Sequence, residues 1–176
     1  MQRNQANRYE DRKLIPIDLK NCQLYLIDGT GNNFIAIRIG EGTLTYSVKR
    51  DIQQRKSRGN LWQLREGEQQ PTDVQFQFVW DFITSSGDEP PTIEDVLYGT
   101  AEGWVSASNS FDQTGPFTVN LQIVNTVPCF GPSHGSEMET HNFPLFAFTS
   151  LDHSLKDATV DCKGVSNRPR PIVIRS

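Results

Sequence analysis

Val74-Gln75-Phe76-Gln77-Phe78-Val79-Trp80-Asp81-Phe82-Ile83 is the stretch on which the fold turns. In an extended chain Val74, Phe76, Phe78, Trp80 and Phe82 share one side, and Gln75, Gln77, Val79, Asp81 and Ile83 share the other. A helix would scatter the aromatic rings around its axis. The alternation therefore predicts a strand whose aromatic face builds the core, each ring contributing about 2–3 kcal/mol of transfer free energy.

The same period of two recurs on either side. Cys22 to Asp28 and Phe34 to Ile39 read as two strands joined through Asp28-Gly29-Thr30-Gly31-Asn32-Asn33, with Ile35, Ile37 and Ile39 on one face. Gly40-Glu41-Gly42 is turn material, after which Leu44, Tyr46 and Val48 alternate with Thr43, Thr45 and Ser47 as a half-buried strand. Leu61 to Glu66 alternates briefly, and Gly67 to Thr72 reads as a turn. Further on, Phe117, Val119, Leu121 and Ile123 mark a long strand, and Phe143 to Leu151 and Ala158 to Gly164 mark two more. One helix is signalled at about 92–98. Thr92 and Asp95 form a capping box, acids fill the first turn, Ile93, Val96 and Leu97 share a face, and Gly99 can end it.

Strands, one short helix, then more strands define a mainly β fold, a β-barrel or two-sheet β-sandwich flanked by one short α-helix. We divide the chain into an extended N-terminal arm at 1–19, a β domain at 20–165, and a C-terminal arm or strand at 166–176. Arg168-Pro169-Arg170-Pro171 stiffens the last of these and leads into the apolar Ile172-Val173-Ile174. Residues 49–59 carry Lys49, Arg50, Asp51, Arg55, Lys56 and Arg58 with almost no apolar content, and read as a long charged loop.

Composition narrows the function. The chain has 176 residues, 36% of them hydrophobic and 22% charged, which suits one domain with a modest core. With 17 Lys and Arg against 21 Asp and Glu, the net charge of −4 argues against bulk electrostatic capture of nucleic acid. The first eight residues hold no apolar signal-peptide core, and no window nears the roughly 18 apolar residues of a membrane span. Cys22, Cys129 and Cys162 are too few and too odd for a disulfide framework. These features are those of a protein made in a cytoplasm, with reduced thiols.

No catalytic constellation forms. Gly131-Pro132-Ser133-His134-Gly135 fits the G-x-S-x-G pattern, but a nucleophile elbow needs a strand before the serine and a helix after it. Here Pro132 precedes Ser133, and the seven residues before Phe143-Pro144 leave little room for a helix. Cys129, His134, His141 and Cys162 lack the closely spaced ligand pairs of a structural zinc site. Gly29-Thr30-Gly31 precedes a strand rather than the helix N-terminus that a phosphate cradle requires, so a hairpin turn explains it. Glu94 and Asp95 are neighbours on a helix and point apart, both favoured there by the helix dipole. The expectation is a protein with no enzymatic activity, no catalytic residues, no metal and no cofactor.

As a whole, the string resembles the major tail tube proteins of long-tailed, siphophage-type bacteriophages. The likeness runs through Leu24 to Thr30, Ile37 to Val48, Arg58 to Leu61, Arg65 to Glu68 with Pro71, and Val74 to Phe82. It continues through Pro91 to Asp95, a loop at Pro128-Cys129, Phe143 to Phe146, and Ala158 to Gly164, and so covers most of residues 20–164. The resemblance implies subunits that close into a ring, usually a hexamer. Rings then stack into a hollow tube through which DNA is ejected. It also implies a location in the virion tail after synthesis in a bacterial cytoplasm, and no catalytic residues. The implied partners are other copies of the chain, tail-terminator, baseplate and tape-measure proteins, and DNA that passes without specific binding; no membrane is involved. Stacking rings needs a second interface besides the lateral one. Arg50, Arg55, Lys56 and Arg58 are the expected inter-ring contacts, pairing with acids such as Glu66 and Glu68, or Asp88 and Glu89, on the next ring. The alternatives are a related ring former (tail terminator, baseplate or secretion-tube protein) or a β-sandwich hydrolase using Ser133 and His134.

Overall fold

The computed structural model describes residues 19–39, 42–80, 91–108, 115–127 and 137–175. A short 3-10 turn at Leu19–Asn21 leads into β1 (Cys22–Ile27), β2 (Phe34–Ile37) and β3 (Leu44–Ser47). Then come β4 (Arg50–Ser57), β5 (Asn60–Gln69), β6 (Thr72–Val79) and the helix α1 (Ile93–Tyr98). The chain finishes with β7 (Val119–Val127), β8 (Glu137–Ser154), β9 (Thr159–Ser166) and β10 (Ile172–Arg175).

Eight strands form one sheet in the order β2-β1-β7-β8-β9-β6-β3, with β10 also on β8, and β4 and β5 form a separate two-stranded sheet. Every strand pair is antiparallel. The large sheet rolls up. Beyond β3 the outer edge of β6 is taken over by the chain leaving β2: the Gln77 N–H donates to the Thr43 carbonyl at 2.9 Å and the Val79 N–H to the Arg38 carbonyl at 3.0 Å. Two otherwise open edges thus satisfy each other, which is what barrel closure achieves.

β6 shows why this sequence gives this fold. Thr72, Val74, Phe76 and Phe78 are buried and alternate with half-buried residues along its length. Phe76 meets Phe146 of β8 with ring centroids 6.0 Å apart, so the rolled sheet is packed across its interior. Leu24 and Leu26 of β1, Leu121 of β7 and Val160 of β9 complete that interior with no exposed surface. The alternation does not run as far as the sequence suggests. The β9 ladder ends at Val79 opposite Thr159; the Trp80 N–H still donates to the Ala158 carbonyl at 2.8 Å, but Ala158 belongs to the turn before β9, so no strand continues beside Trp80. Trp80 is 37% exposed and lies edge-on to His153. Phe82 and Ile83 lie outside the described residues.

β8 is 18 residues long and serves two halves of the sheet. Its first part pairs with β7 and β10, its last with β9. The change comes at Pro144-Leu145, where Val119 and Leu121 of β7 face Phe146 and Phe143, leaving two residues of β8 unpaired. Leu145 adopts φ 52°, Asn120 accepts its N–H, and Ser166 donates to the Pro144 carbonyl. Such a bulge accommodates a proline inside a strand and bends the sheet.

The helix forms where the capping signal lies. The Thr92 hydroxyl accepts the Asp95 N–H at 3.1 Å, and the Asp95 carboxylate accepts the Thr92 N–H at 3.3 Å. Gly99 ends it at φ 72°, and Ile93, Val96 and Leu97 are buried against the barrel. The C-terminal strand is also present, as β10. The region at 49–59 corrects the sequence reading. It is not a loop but the first strand and the turn of a β-hairpin, β4–β5, which also absorbs Gly67 to Gln69, read above as a turn. Most of the N-terminal arm, Asp88 and Glu89, and the Gly131 to Gly135 motif lie outside the described residues.

Candidate assembly interface

The β4–β5 hairpin owes nothing to an apolar face. Its strands are locked by their own ladder, from Arg50 opposite Gln69 to Ser57 opposite Asn60. The connection is Arg58-Gly59 at φ 50° and φ 84°. Two successive positive φ angles make a type I′ turn, whose twist suits a two-residue hairpin. Gly59 meets that demand without strain, while Arg58 carries the cost of the left-handed region.

Around this scaffold the described side chains of both strands are exposed apart from Asp51, and Gly67 is also half-buried. Ile52, opposite Glu66, and Leu64, opposite Gln54, share one face and are 54% and 58% exposed. Gln53, Arg55, Gln63 and Arg65 share the other. At about 3.3 Å per residue the arm reaches roughly 25 Å from root to turn.

The six predicted contact residues fall into two groups at opposite ends of this arm. Arg55, Lys56 and Arg58 lie toward the turn; Arg65, opposite Gln53 in mid-arm, was missed by the sequence reading for want of a strand register. Glu66 and Glu68 lie toward the root, and so does Arg50, which the structure separates from the other bases. At the root the Asp51 carboxylate accepts the Glu68 N–H at 3.2 Å. Gly67 lies close beside it, where a Cβ would stand 2.0 Å from the Asp51 carboxylate oxygen and displace that side chain. Lys49 is ion-paired to Asp73 of β6, tying the root to the barrel. A cleft of about 350 Å³ opens here, lined in part by Arg50, Asp51, Glu66, Glu68, Pro169 and Arg170. None of the six predicted residues belongs to an ion pair among the described residues. The arm is thus basic at its turn, carries all its acids at its root, and leaves both ends unneutralised.

A second surface is legible only from the register. In β2, β1, β7, β8 and β10 the side chains that point away from the core include Phe34, Tyr25, Gln122, Thr140, Asn142 and Ile172. No charged side chain lies on this outer face within β2, β1, β7, β10 and the first part of β8, up to Asn142; further along β8 Asp152 faces outward beside Lys163 of β9. Depletion of charge is the compositional mark of an interface centre.

The remaining polar groups are structural. Asp28 closes β1 and is buried. Burial alone would raise its carboxyl, but hydrogen bonds from the Thr30 hydroxyl and from Asn33 and Gly31 outweigh it and hold the group below the ordinary carboxylate range. Gly31 in this turn takes φ 76°, and a Cβ on Gly29 would stand 2.3 Å from the Ser106 carbonyl oxygen. These contacts account for both glycines without a phosphate. Glu139 accepts from Arg175 of β10 at 2.6 Å and contacts His141 at 2.7 Å. The Arg175 hydrogen bond, then opposing burial, then His141 set its carboxyl below the usual range. Cys162 has no exposed surface, and burial pushes its thiol up to about 12. His141 is therefore engaged with Glu139 and Tyr46, and Cys162 with the core, while Cys129, Ser133 and His134 lie outside the described residues. Among the described residues no cluster of His, Cys, Asp and Glu could hold a metal ion, and no helix is long and apolar enough to cross a membrane.

No protein-family model matches the chain, and no curated protein sequence matches it. Solved structures do. The chain is similar to the sheath/tube terminator of the PVC extracellular contractile injection system, at 16% identity and TM-score 0.50 over 93% of this chain and 98% of that one. It is also similar to the tube-terminating cap of the anti-feeding prophage, at 12% identity and TM-score 0.52 over 97% of this chain and 98% of that one. At such identities the likeness is one of fold, and it extends over nearly the whole chain.

Proposed function

We propose that this chain is a non-enzymatic structural subunit of a phage-tail-like particle, one that closes into rings and stacks at the tail tube or at its end. The observation that carries the reading is the projecting β4–β5 arm, exposed along its length and bearing opposite charge at its two ends. Arg58 and Glu68 stand at opposite ends of one arm, too far apart to neutralise each other within a copy. They can do so between copies, where the basic turn of one arm meets the acidic root of the next. Such a contact is heterologous and repeats along an axis, as stacking requires. The uncharged outer face of β2, β1, β7, β10 and the first part of β8 suits the lateral contact within a ring. A hexameric ring, and a bore that passes DNA without gripping it, are the finer parts of the proposal, drawn from the tail tube resemblance.

Similarity to a sheath/tube terminator and a tube-terminating cap favours a position at the tube end as a second reading. Electron microscopy of concentrated protein separates the two. Long hollow tubes support a tube subunit, and isolated or paired rings support a terminator. Monodisperse monomer at every concentration, together with labelling by a serine-reactive probe that Ser133→Ala abolishes, would overturn both in favour of a hydrolase.

A further inference from the structure

The last strand is bound to the barrel in an unusual way. β10 pairs with β8 alone, placing Ile172, Val173, Ile174 and Arg175 opposite Asn142, His141, Thr140 and Glu139. All four residues of β10 are exposed although each has a ladder partner on β8. Ile172, Val173 and Ile174 are 49%, 38% and 53% exposed. Besides the ladder, an anchor is the hydrogen-bonded ion pair from Arg175 to Glu139, whose arginine side chain is 75% exposed. The chain leading to β10 is pinned at its base, where the Arg168 carbonyl accepts both the Thr72 N–H at 3.0 Å and the Thr72 hydroxyl at 2.8 Å. Between that pin and the strand lie Pro169, Arg170 and Pro171, a short stiff spacer of roughly 9 Å if extended.

We propose that β10 is an exchangeable arm, which in the assembled state leaves its own β8 and pairs in the same register with β8 of a second copy. Every contact that holds it at home is reproduced in the neighbour, including the Arg175 to Glu139 pair. Exchange therefore loses no pairing, and the balance is set by the spacer and by concentration. A dilute chain keeps β10 at home, because a short tether gives its own β8 an effective concentration in the millimolar range. Packed copies raise the neighbour's local concentration to a comparable level. Crossing arms also bring two outer faces together and cover Ile172 and Ile174, which the single chain leaves in water. The proposal requires that copies associate, but not that the hairpin arms stack.

Two single variants test it. Thr140→Cys and Ile174→Cys lie opposite each other across the ladder. In a dilute double variant an intramolecular disulfide fixes the register. With the two single variants mixed at the concentration of assembly and oxidised, we expect a covalent species between chains, identified by mass spectrometry of the peptide linking positions 140 and 174. Its absence from the mixture, when the double variant closes internally, would overturn the exchange. So would an Ile174→Cys sample that links to itself, since that reports edge-to-edge pairing of two β10 strands. A chain ending at Pro171 should keep its far-UV spectrum and associate at least about tenfold more weakly; association at full strength is incompatible with the proposal. Loss of tip-to-root stacking in hairpin variants would leave the 140–174 crosslink intact, so the two readings fail separately.

Discussion

At Asp28 one carboxylate organises a whole turn. It accepts from the Thr30 hydroxyl, the Asn32 and Asn33 backbone N–H groups and the Asn33 side chain, all at 2.8–3.3 Å. Asn33 in turn donates to the Gly103 carbonyl, and Gly29 donates to the Val105 carbonyl, so the turn also holds the segment after α1. Asp28→Ala leaves several of these donors without a partner and should cost about 1–3 kcal/mol in urea denaturation. Because the folded carboxyl is held below its unfolded value, its contribution is present at neutral pH. It is lost as pH falls through the folded pKa, so the wild-type chain should lose stability in acid more steeply than Asp28→Ala. Cys162 makes the opposite case. With its thiol pushed up to about 12 and no exposed surface, it should resist thiol reagents in the native state and react only on unfolding. Rapid native labelling assigned to Cys162 by peptide mapping would contradict that placement.

The elements were legible in the sequence to the extent that an apolar face defined them. β1, β2, β6, β7, β8 and β9 each carry alternating apolar residues into one core, and the pattern located all of them. The α1 boundaries followed from Thr92, Asp95 and Gly99, because capping is a local interaction. The β4–β5 arm was hidden for the converse reason. Its order comes from cross-strand hydrogen bonds and a type I′ turn, neither of which leaves a hydrophobic period. The turn at Arg58-Gly59-Asn60, flanked by segments of comparable length, was the one available signal. Trp80 failed differently: its alternation is intact, but a strand is buried only as far as a neighbour pairs with it. If the arm is an independent element, replacing residues 52–66 with an Asn-Gly turn should shift the thermal midpoint of the barrel by no more than about 4 °C, which is under roughly 1–2 kcal/mol for a domain of this size. The same excision should abolish stacking. A collapse of the midpoint would mean that the arm packs on the barrel.

For the whole molecule the question is whether charge separated along one arm can order many copies. Arg55 and Arg58 supply the basic end, Glu66 and Glu68 the acidic root. Reversing one end, as in R55E/K56E/R58E, makes the turn acidic like the root; reversing the other, as in E66R/E68R, makes the root net basic like the turn. Each variant alone should fold, since these side chains are exposed, and each should fail to stack because like charges meet at every junction. An equimolar mixture restores the pairing, for the acidic turn of one variant then meets the basic root of the other, and the reverse holds at the next junction. Recovery of stacked rings in the mixture, seen by electron microscopy or sedimentation, is a result that general solubility effects do not produce. Salt gives an independent reading. Between 0.15 M and 1 M the screening length falls from about 8 Å to about 3 Å, so wild-type stacks should loosen across that range. Lateral association through the uncharged outer face should not, because burial of apolar surface does not weaken as charges are screened. Rings that survive in high salt while stacks come apart would place the two interfaces where the charge distribution of the chain puts them, and stacks indifferent to both salt and charge reversal would remove the arm from the assembly altogether.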